Sequence, residues 1–211
     1  MKRKCLAVGI ILLFVGTSIV PAVAHDTEKP LPVSRGKWLY VGGSGPGNYT
    51  RIQDAINASS DGDTVFVYDE SSPYYEHLII THQIFLIGEN RETTIINGNG
   101  SDLTVFLTKN ASYVTISGFT IQDPIGNHST GIYIETSYNV ISDNIIKNTY
   151  MGLELVNTTS MSIGNTITSN IITHSWFGVF LLCSNGNKIF GNYLDDNNEG
   201  IYVGGKLPSS L

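Results

Sequence analysis

Ile141-Ser142-Asp143-Asn144-Ile145-Ile146, followed eight residues after its asparagine by Gly152-Leu153-Glu154-Leu155, decides the architecture because it is written three times. The second copy is Ile167-Thr168-Ser169-Asn170-Ile171-Ile172 with Gly178-Val179-Phe180-Leu181. The third is Ile189-Phe190-Gly191-Asn192-Tyr193-Leu194 with Gly200-Ile201-Tyr202-Val203. An earlier glycine strand, Gly131-Ile132-Tyr133-Ile134, and a degenerate Ile116-Ser117-Gly118-Phe119-Thr120-Ile121 extend the series upstream. The glycines recur after 21, 26 and 22 residues, while the distance from asparagine to glycine stays at 8. A unit this short cannot bury its apolar side alone, so units must stack, and parallel stacking at about 4.8 Å per coil makes a solenoid. The Leu-x-x-Leu-x-Leu frame of leucine-rich repeats is absent, and a sandwich would need hairpin turns at shorter, irregular spacing. The repeat predicts an all-β chain folded as a parallel β-helix with coils of about 22 residues.

The same style runs back to residue 78, through Leu78-Ile79-Ile80, Ile84-Phe85-Leu86-Ile87, Thr94-Ile95-Ile96, Thr104-Val105-Phe106-Leu107 and Val114-Thr115-Ile116. Ahead of it, Trp38-Leu39-Tyr40-Val41 and Thr64-Val65-Phe66-Val67-Tyr68 read as strands. Between them, Thr50-Arg51-Ile52-Gln53 fits a capping box, and Ile52, Ala55 and Ile56 form one apolar stripe. A short capping helix is expected over 50–57. The β-helix domain is expected over 38–211, preceded by a proline-containing linker over 25–37.

Residues 1–24 read as a signal peptide: a basic Met1-Lys2-Arg3-Lys4, an apolar run from Cys5 to Val20, and the small-x-small Ala22-Val23-Ala24. Its removal takes three basic residues and leaves a mature charge of −9, against −6 for the whole chain. That charge argues against nucleic acid and anionic lipid as partners, and no membrane span remains after cleavage. The expected location is secreted or extracytoplasmic, the cell surface included. Only Cys183 remains, so no intramolecular disulfide can form; it reads as a small buried hydrophobe. Six sequons, at Asn48, Asn57, Asn99, Asn110, Asn127 and Asn157, are expected glycan acceptors in an exported protein. The chain stops at Leu211 directly after an interior-type repeat, where a solenoid needs a cap, which reads as a truncated C-terminus.

Three columns follow from aligning the coils. Asn144, Asn170 and Asn192 should stack their amides along the axis and satisfy turn backbone. Gln122, Lys147, Thr173 and Asp195 form one polar column, and Asp123, Asn148, His174 and Asp196 the next. His174 and Asp196, one coil apart, with Asp195, Asp123 and Lys147 near them, are the weak catalytic candidates. The middle residue of each glycine strand points outward, so Tyr133, Glu154, Phe180 and Tyr202 should form a row with Tyr150, Trp176 and Phe177 beside it. Flat rings beside polar groups suit sugars, and Tyr133, Tyr150, Trp176, Phe180 and Tyr202 are the ligand-binding candidates. The partner expected is a polysaccharide or a surface protein. No cofactor and no metal site is expected, since no His-x-His or Met-x-x-Met gathers soft donors.

The segment Tyr49-Thr50-Arg51-Ile52-Gln53-Asp54-Ala55-Ile56, with Gly62-Asp63-Thr64-Val65-Phe66-Val67, Tyr75-Glu76-His77-Leu78-Ile79-Ile80, Ile84-Phe85-Leu86-Ile87-Gly88-Glu89 and Thr94-Ile95-Ile96-Asn97-Gly98, resembles the pectin-lyase-like superfamily. The resemblance spans about residues 38–205 and is nearest to NosD-like and surface-repeat members. It implies a right-handed β-helix with an N-terminal cap. For function it implies less, since the superfamily holds lyases, hydrolases, esterases, adhesins and non-enzymes. Asp195-Asp196 resembles the paired aspartates of polygalacturonase-like hydrolases, but their Gly-His-Gly and Arg-Ile-Lys motifs are missing. No arginine follows Arg91 to serve as a lyase base, and the esterase motifs are not reproduced around Gln122-Asp123. NosD-like members imply a role in copper delivery to nitrous oxide reductase, for which Met151, Met161, Cys183 and the histidines lie scattered. The reading is an exported, non-catalytic β-helix that binds carbohydrate or serves as an interaction scaffold. A polysaccharide-degrading enzyme is the first alternative, and a NosD-like periplasmic maturation factor the second.

Overall fold

The computed structural model describes residues 36–123, 129–156 and 163–205. Strand β1 (Trp38–Val41) and helix α1 (Ile52–Ala58) precede six coils of three short strands each. The first three coils are β2 (Asp63–Val67), β3 (Tyr74–Tyr75) and β4 (Leu78–Ile80); β5 (Ile84–Gly88), β6 (Ile95–Asn97) and β7 (Leu103–Leu107); and β8 (Thr115–Ser117), β9 (Thr120–Gln122) and β10 (Thr130–Ile134). The last three are β11 (Val140–Ser142), β12 (Ile145–Lys147) and β13 (Met151–Val156); β14 (Thr166–Thr168), β15 (Ile171–Thr173) and β16 (Phe177–Leu182); and β17 (Lys188–Phe190), β18 (Tyr193–Asp195) and β19 (Glu199–Gly204). Equivalent strands pair in parallel into three sheets. The first face is β1-β2-β5-β8-β11-β14-β17, the second β3-β6-β9-β12-β15-β18 and the third β4-β7-β10-β13-β16-β19. The fold is an all-β parallel solenoid with one short helix at its N-terminal side, as the repeat predicts.

Register explains the core. Val65, Leu86, Ile116, Ile141, Ile167 and Ile189 stack on the first face. Tyr74, Ile96, Ile121, Ile146, Ile172 and Leu194 stack on the second. Leu78, Val105, Ile132, Leu153, Val179 and Ile201 stack on the third. Branched side chains suit such columns, since each meets its own kind one coil away. Burial is complete through the interior coils and falls off in the last, where Ile201 and Val203 are exposed.

The repeating glycines are required by close approach. A Cβ on Gly131 would stand 2.6 Å from the Gly152 carbonyl oxygen, one on Gly152 2.6 Å from that of Gly178, and one on Gly178 2.5 Å from that of Gly200. The predicted amide ladder is present: Asn144 N–H donates to Asn170 Oδ1 (3.0 Å) and Asn170 N–H to Asn192 Oδ1 (3.0 Å). Asn170 Nδ2 also donates to Ile141 O, Thr168 O and Asn192 Oδ1. A second ladder, not anticipated from the sequence, runs through Asn139, Asn165 and Asn187 at the preceding corner. Its signature is a constant step of five residues, 139 to 144, 165 to 170 and 187 to 192.

The capping helix corrects the local reading. It spans Ile52–Ala58, its N-cap position is Arg51, and no side chain of that position caps it. Instead Glu76 accepts the N–H groups of Ile52 (2.8 Å) and Gln53 (3.1 Å), a charge-assisted cap supplied from 24 residues away. Gln53 is thereby released for other work: its Oε1 accepts Ile79 N–H (2.8 Å) and its Nε2 donates to Ile79 O (3.1 Å). One side-chain amide thus stands in for a neighbouring strand along the edge of β4. Cys183 is also corrected: it is half-buried at a turn with φ of 53°, outside the core.

Candidate functional site

Parallel register carries the outward residues of the third face into one line. Ile79, Phe106, Tyr133, Glu154, Phe180 and Tyr202 occupy successive coils at the same position. The upper part is a joined set of rings: Phe180 stacks on Tyr202 with centroids 4.8 Å apart and planes 7° apart. Phe177 meets both edge-on, at 5.3 and 5.5 Å. Tyr150 packs edge-on against Phe177 (5.8 Å) and stacks with Trp176 (6.1 Å, 17°). Trp176 is 50% exposed and Tyr202 38%, so the set presents ring faces to solvent. Lower in the row, Tyr133 contacts Phe106 at 5.4 Å.

Glu154 interrupts this row between Tyr133 and Phe180. Burial raises its pKa above the ordinary 4.5, with the opposing hydrogen bond from Thr130 Oγ1 (3.0 Å) only partly offsetting it. Tyr133 is likewise pushed up, first by burial and then by the charges of Glu135 and Glu154; its hydroxyl donates to Glu135 Oε1 at 3.3 Å.

The polar columns are on the second face and the corner after it. Gln122, Lys147, Thr173 and Asp195 align as read from the sequence. His174 Nε2 lies 2.9 Å from Asp196 Oδ2, both well exposed, and His174 N–H donates to Asp196 O (3.1 Å). Asn148, His174 and Asp196 share a left-handed backbone, with φ of 56°, 54° and 51°. Asp123 does not join them: its carboxylate is buried and accepts Gly100 N–H at 2.9 Å. Asp195 accepts Tyr193 OH at 3.1 Å. The corner therefore holds one His–Asp pair, with Asp123 turned to other duty.

The remaining candidates separate by environment. Asn99 and Asn110 are exposed in turns between strands, and Asn57 is exposed on α1, where its Oδ1 accepts Gln53 Nε2. Asn48 Nδ2 donates to Gly42 O at 2.7 Å, which ties its amide into a loop. Asn127 and Asn157 lie outside the described residues, as do the signal peptide and most of the linker. Of the histidines, His77 Nδ1 bonds Leu103 O and His82 bonds Ser59 and Thr81. Among the described residues no three His, Cys, Asp or Glu side chains gather as a metal set, and no helix is long and apolar enough to cross a membrane.

Against this geometry, the family model described as "Periplasmic copper-binding protein (NosD)" matches residues 56–208. The chain belongs to the NosD family. The match covers every coil and all of the aromatic row. NosD being a periplasmic family, the protein is extracytoplasmic, in agreement with the expected location. No curated protein and no solved structure matches the chain.

Proposed function

We propose that this NosD-family solenoid is a non-catalytic extracytoplasmic scaffold whose third face binds polysaccharide through the Tyr150–Trp176–Phe177–Phe180–Tyr202 surface. The observation that carries this reading is the joined, solvent-facing ring set, which extends along the axis over three successive coils. Glu154 and Tyr133 continue the line with polar groups that can hydrogen-bond ring hydroxyls. In a Trp38→Phe background Trp176 is the one remaining tryptophan and reports binding directly. A matching polysaccharide should change its emission. Trp176→Ala with Tyr202→Ala should weaken binding by about one to two decades, taking about 0.5–1.5 kcal/mol for each ring contact. Unchanged affinity in the double variant would reduce the rings to sheet surface.

The His174–Asp196 pair favours an enzymatic second reading, since it is an exposed acid–base couple. That reading requires His174→Ala to abolish turnover of a polysaccharide while retention stays intact. Export with cleavage after Ala24 completes the proposal, and N-terminal sequencing of the exported protein should begin at His25. Glycans, where the host attaches them, belong at Asn99 and Asn110. The family's description names copper binding, and the described residues do not fit a copper site. His77, His82 and His174 sit on separate coils or faces, and His77 and His82 are each occupied by local hydrogen bonds.

A further inference from the structure

The first face carries a second set of rings that the repeat does not supply. Trp38 and Tyr40 of β1, Phe66 of β2 and Tyr68 just beyond it all project outward. Tyr40 stacks with Tyr68 (6.0 Å, 23°), Phe66 meets Tyr68 edge-on (5.1 Å, 79°), and Trp38 lies 6.2 Å from Tyr40. The loop from Gly42 to Asn48 folds back beside these rings and is held there. Gly42 N–H donates to Tyr49 O (2.8 Å), Asn48 Nδ2 to Gly42 O (2.7 Å) and Gly43 N–H to Ser71 Oγ (3.2 Å). Gly43 has φ of 64°, and a Cβ there would meet the Tyr68 ring at 3.0 Å, so the loop's approach to the ring depends on glycine.

Between loop and rings lies a cleft of about 470 Å³, lined by Tyr40, Tyr68, Gly43, Asn48, Glu70 and Glu89 among others. Its volume falls in the range of about 300–1,000 Å³ that holds small ligands. Glu70 and Glu89 are exposed; one oxygen of Glu89 accepts Asp69 N–H at 3.0 Å. No Lys, Arg or His lines the cleft, and among the described residues neither glutamate forms an ion pair. Two carboxylates beside two tyrosine faces, with no cation of the protein's own between them, form an environment for a positive charge on an organic body.

We propose that this cleft binds an amino sugar through its protonated primary amine, the ring seated on Tyr40 and Tyr68 and the ammonium met by Glu70 and Glu89. The site is independent of the third-face surface, and the two tryptophans keep the tests separate. In a Trp176→Phe background Trp38, 53% exposed and in ring contact with Tyr40, is the reporter. Titration of the full mature chain with a glucosamine tetramer should change Trp38 emission saturably. The N-acetylated tetramer, which has lost the charge, should not. Affinity should fall as salt rises from about 50 to 500 mM, as screening shortens to a few ångströms. Glu70→Gln with Glu89→Gln should weaken binding by about tenfold or more, the loss of one or two charge-assisted contacts. Tyr40→Leu, which keeps bulk and removes the ring, should weaken it as well with the β-rich circular dichroism unchanged. Equal binding of the acetylated tetramer, full affinity in both variants, or no saturable change at Trp38 would each overturn the proposal. None of these results touches Trp176 in the Trp38→Phe protein.

Discussion

Asn170 serves four partners at once and is 1% exposed, so its amide is both a connector between coils and the satisfaction of a corner that water does not reach. Alanine there leaves Asn144 N–H without its Oδ1 acceptor and takes one donor from each of the Ile141 and Thr168 carbonyls. Asn170→Ala should cost about 3–5 kcal/mol in a urea titration, at about 1–3 kcal/mol for each buried group left unsatisfied. Asn198→Ala, on the exposed side of the last coil, should change nothing measurable. This ladder was legible because three asparagines share one spacing to a glycine. Its sister through Asn139, Asn165 and Asn187 is equally periodic, each 13 residues ahead of the same glycines, but its copies stand outside the Ile-x-x-Asn-x-Ile/Leu frame that marks the first ladder. Glu154 makes a prediction of another kind. Its pKa is raised in the folded state, so the native protein holds the proton that the unfolded chain releases near 4.5. Stability from this group is therefore full below that pH, falls as pH climbs through the window between the two values, and levels off above it. Glu154→Gln should flatten that part of the melting temperature against pH and melt higher than wild type at pH 7. A wild-type curve that rises across the same window by more than the variant's would contradict the burial argument.

The strands of the third face depend on having no side chain at one position per coil. Gly152→Ala places a methyl 2.6 Å from the Gly178 carbonyl oxygen and 2.6 Å from Ile172 Cγ2, one a backbone atom and the other a packed core methyl. Overpacking of this sort should cost about 1–3 kcal/mol. Gly205→Ala, with open space around it, should stay within about 0.5 kcal/mol in the same thermal melt. A Gly152→Ala protein as stable as wild type would mean that the coils can separate locally without loss. The glycine column was visible from sequence as a period, and its cause, close approach to the next coil's carbonyl, emerged with the stacked coils. The helix shows where such reading stops. Thr50 to Gln53 has the local form of a capping box, yet Glu76 wins the cap because a carboxylate held by Arg51 (3.7 Å) offers the helix end a full charge. Partners 24 residues distant leave no local pattern, and neither Glu76 nor the edge-sealing Gln53 could be assigned before the first coil was built. The cleft beside Tyr40 escaped notice for the same reason: it exists only once the glycine loop has turned back on β1.

Each coil of this solenoid touches its neighbours and little else, so tertiary structure is a line of similar interfaces and not a single three-dimensional core. That is why the architecture could be read from spacing alone, whereas the ligand surfaces, which need particular side chains from particular coils, could be read only in outline. It also gives the protein a mechanical character. Tension applied between the two ends acts on the outermost strands first, and in β19 the apolar positions Ile201 and Val203 are exposed and bury little against β16. Drawn out in an optical trap, the chain should lengthen in a staircase, each step the contour of one coil. For the 22 residues from Asn170 to Asn192 that is about 75 Å at about 3.4 Å per residue. A single abrupt rip releasing the whole domain would show that the coils share their load. A staircase would mark the molecule as a ratchet of separable turns, able to yield a coil under strain at a surface and wind it back.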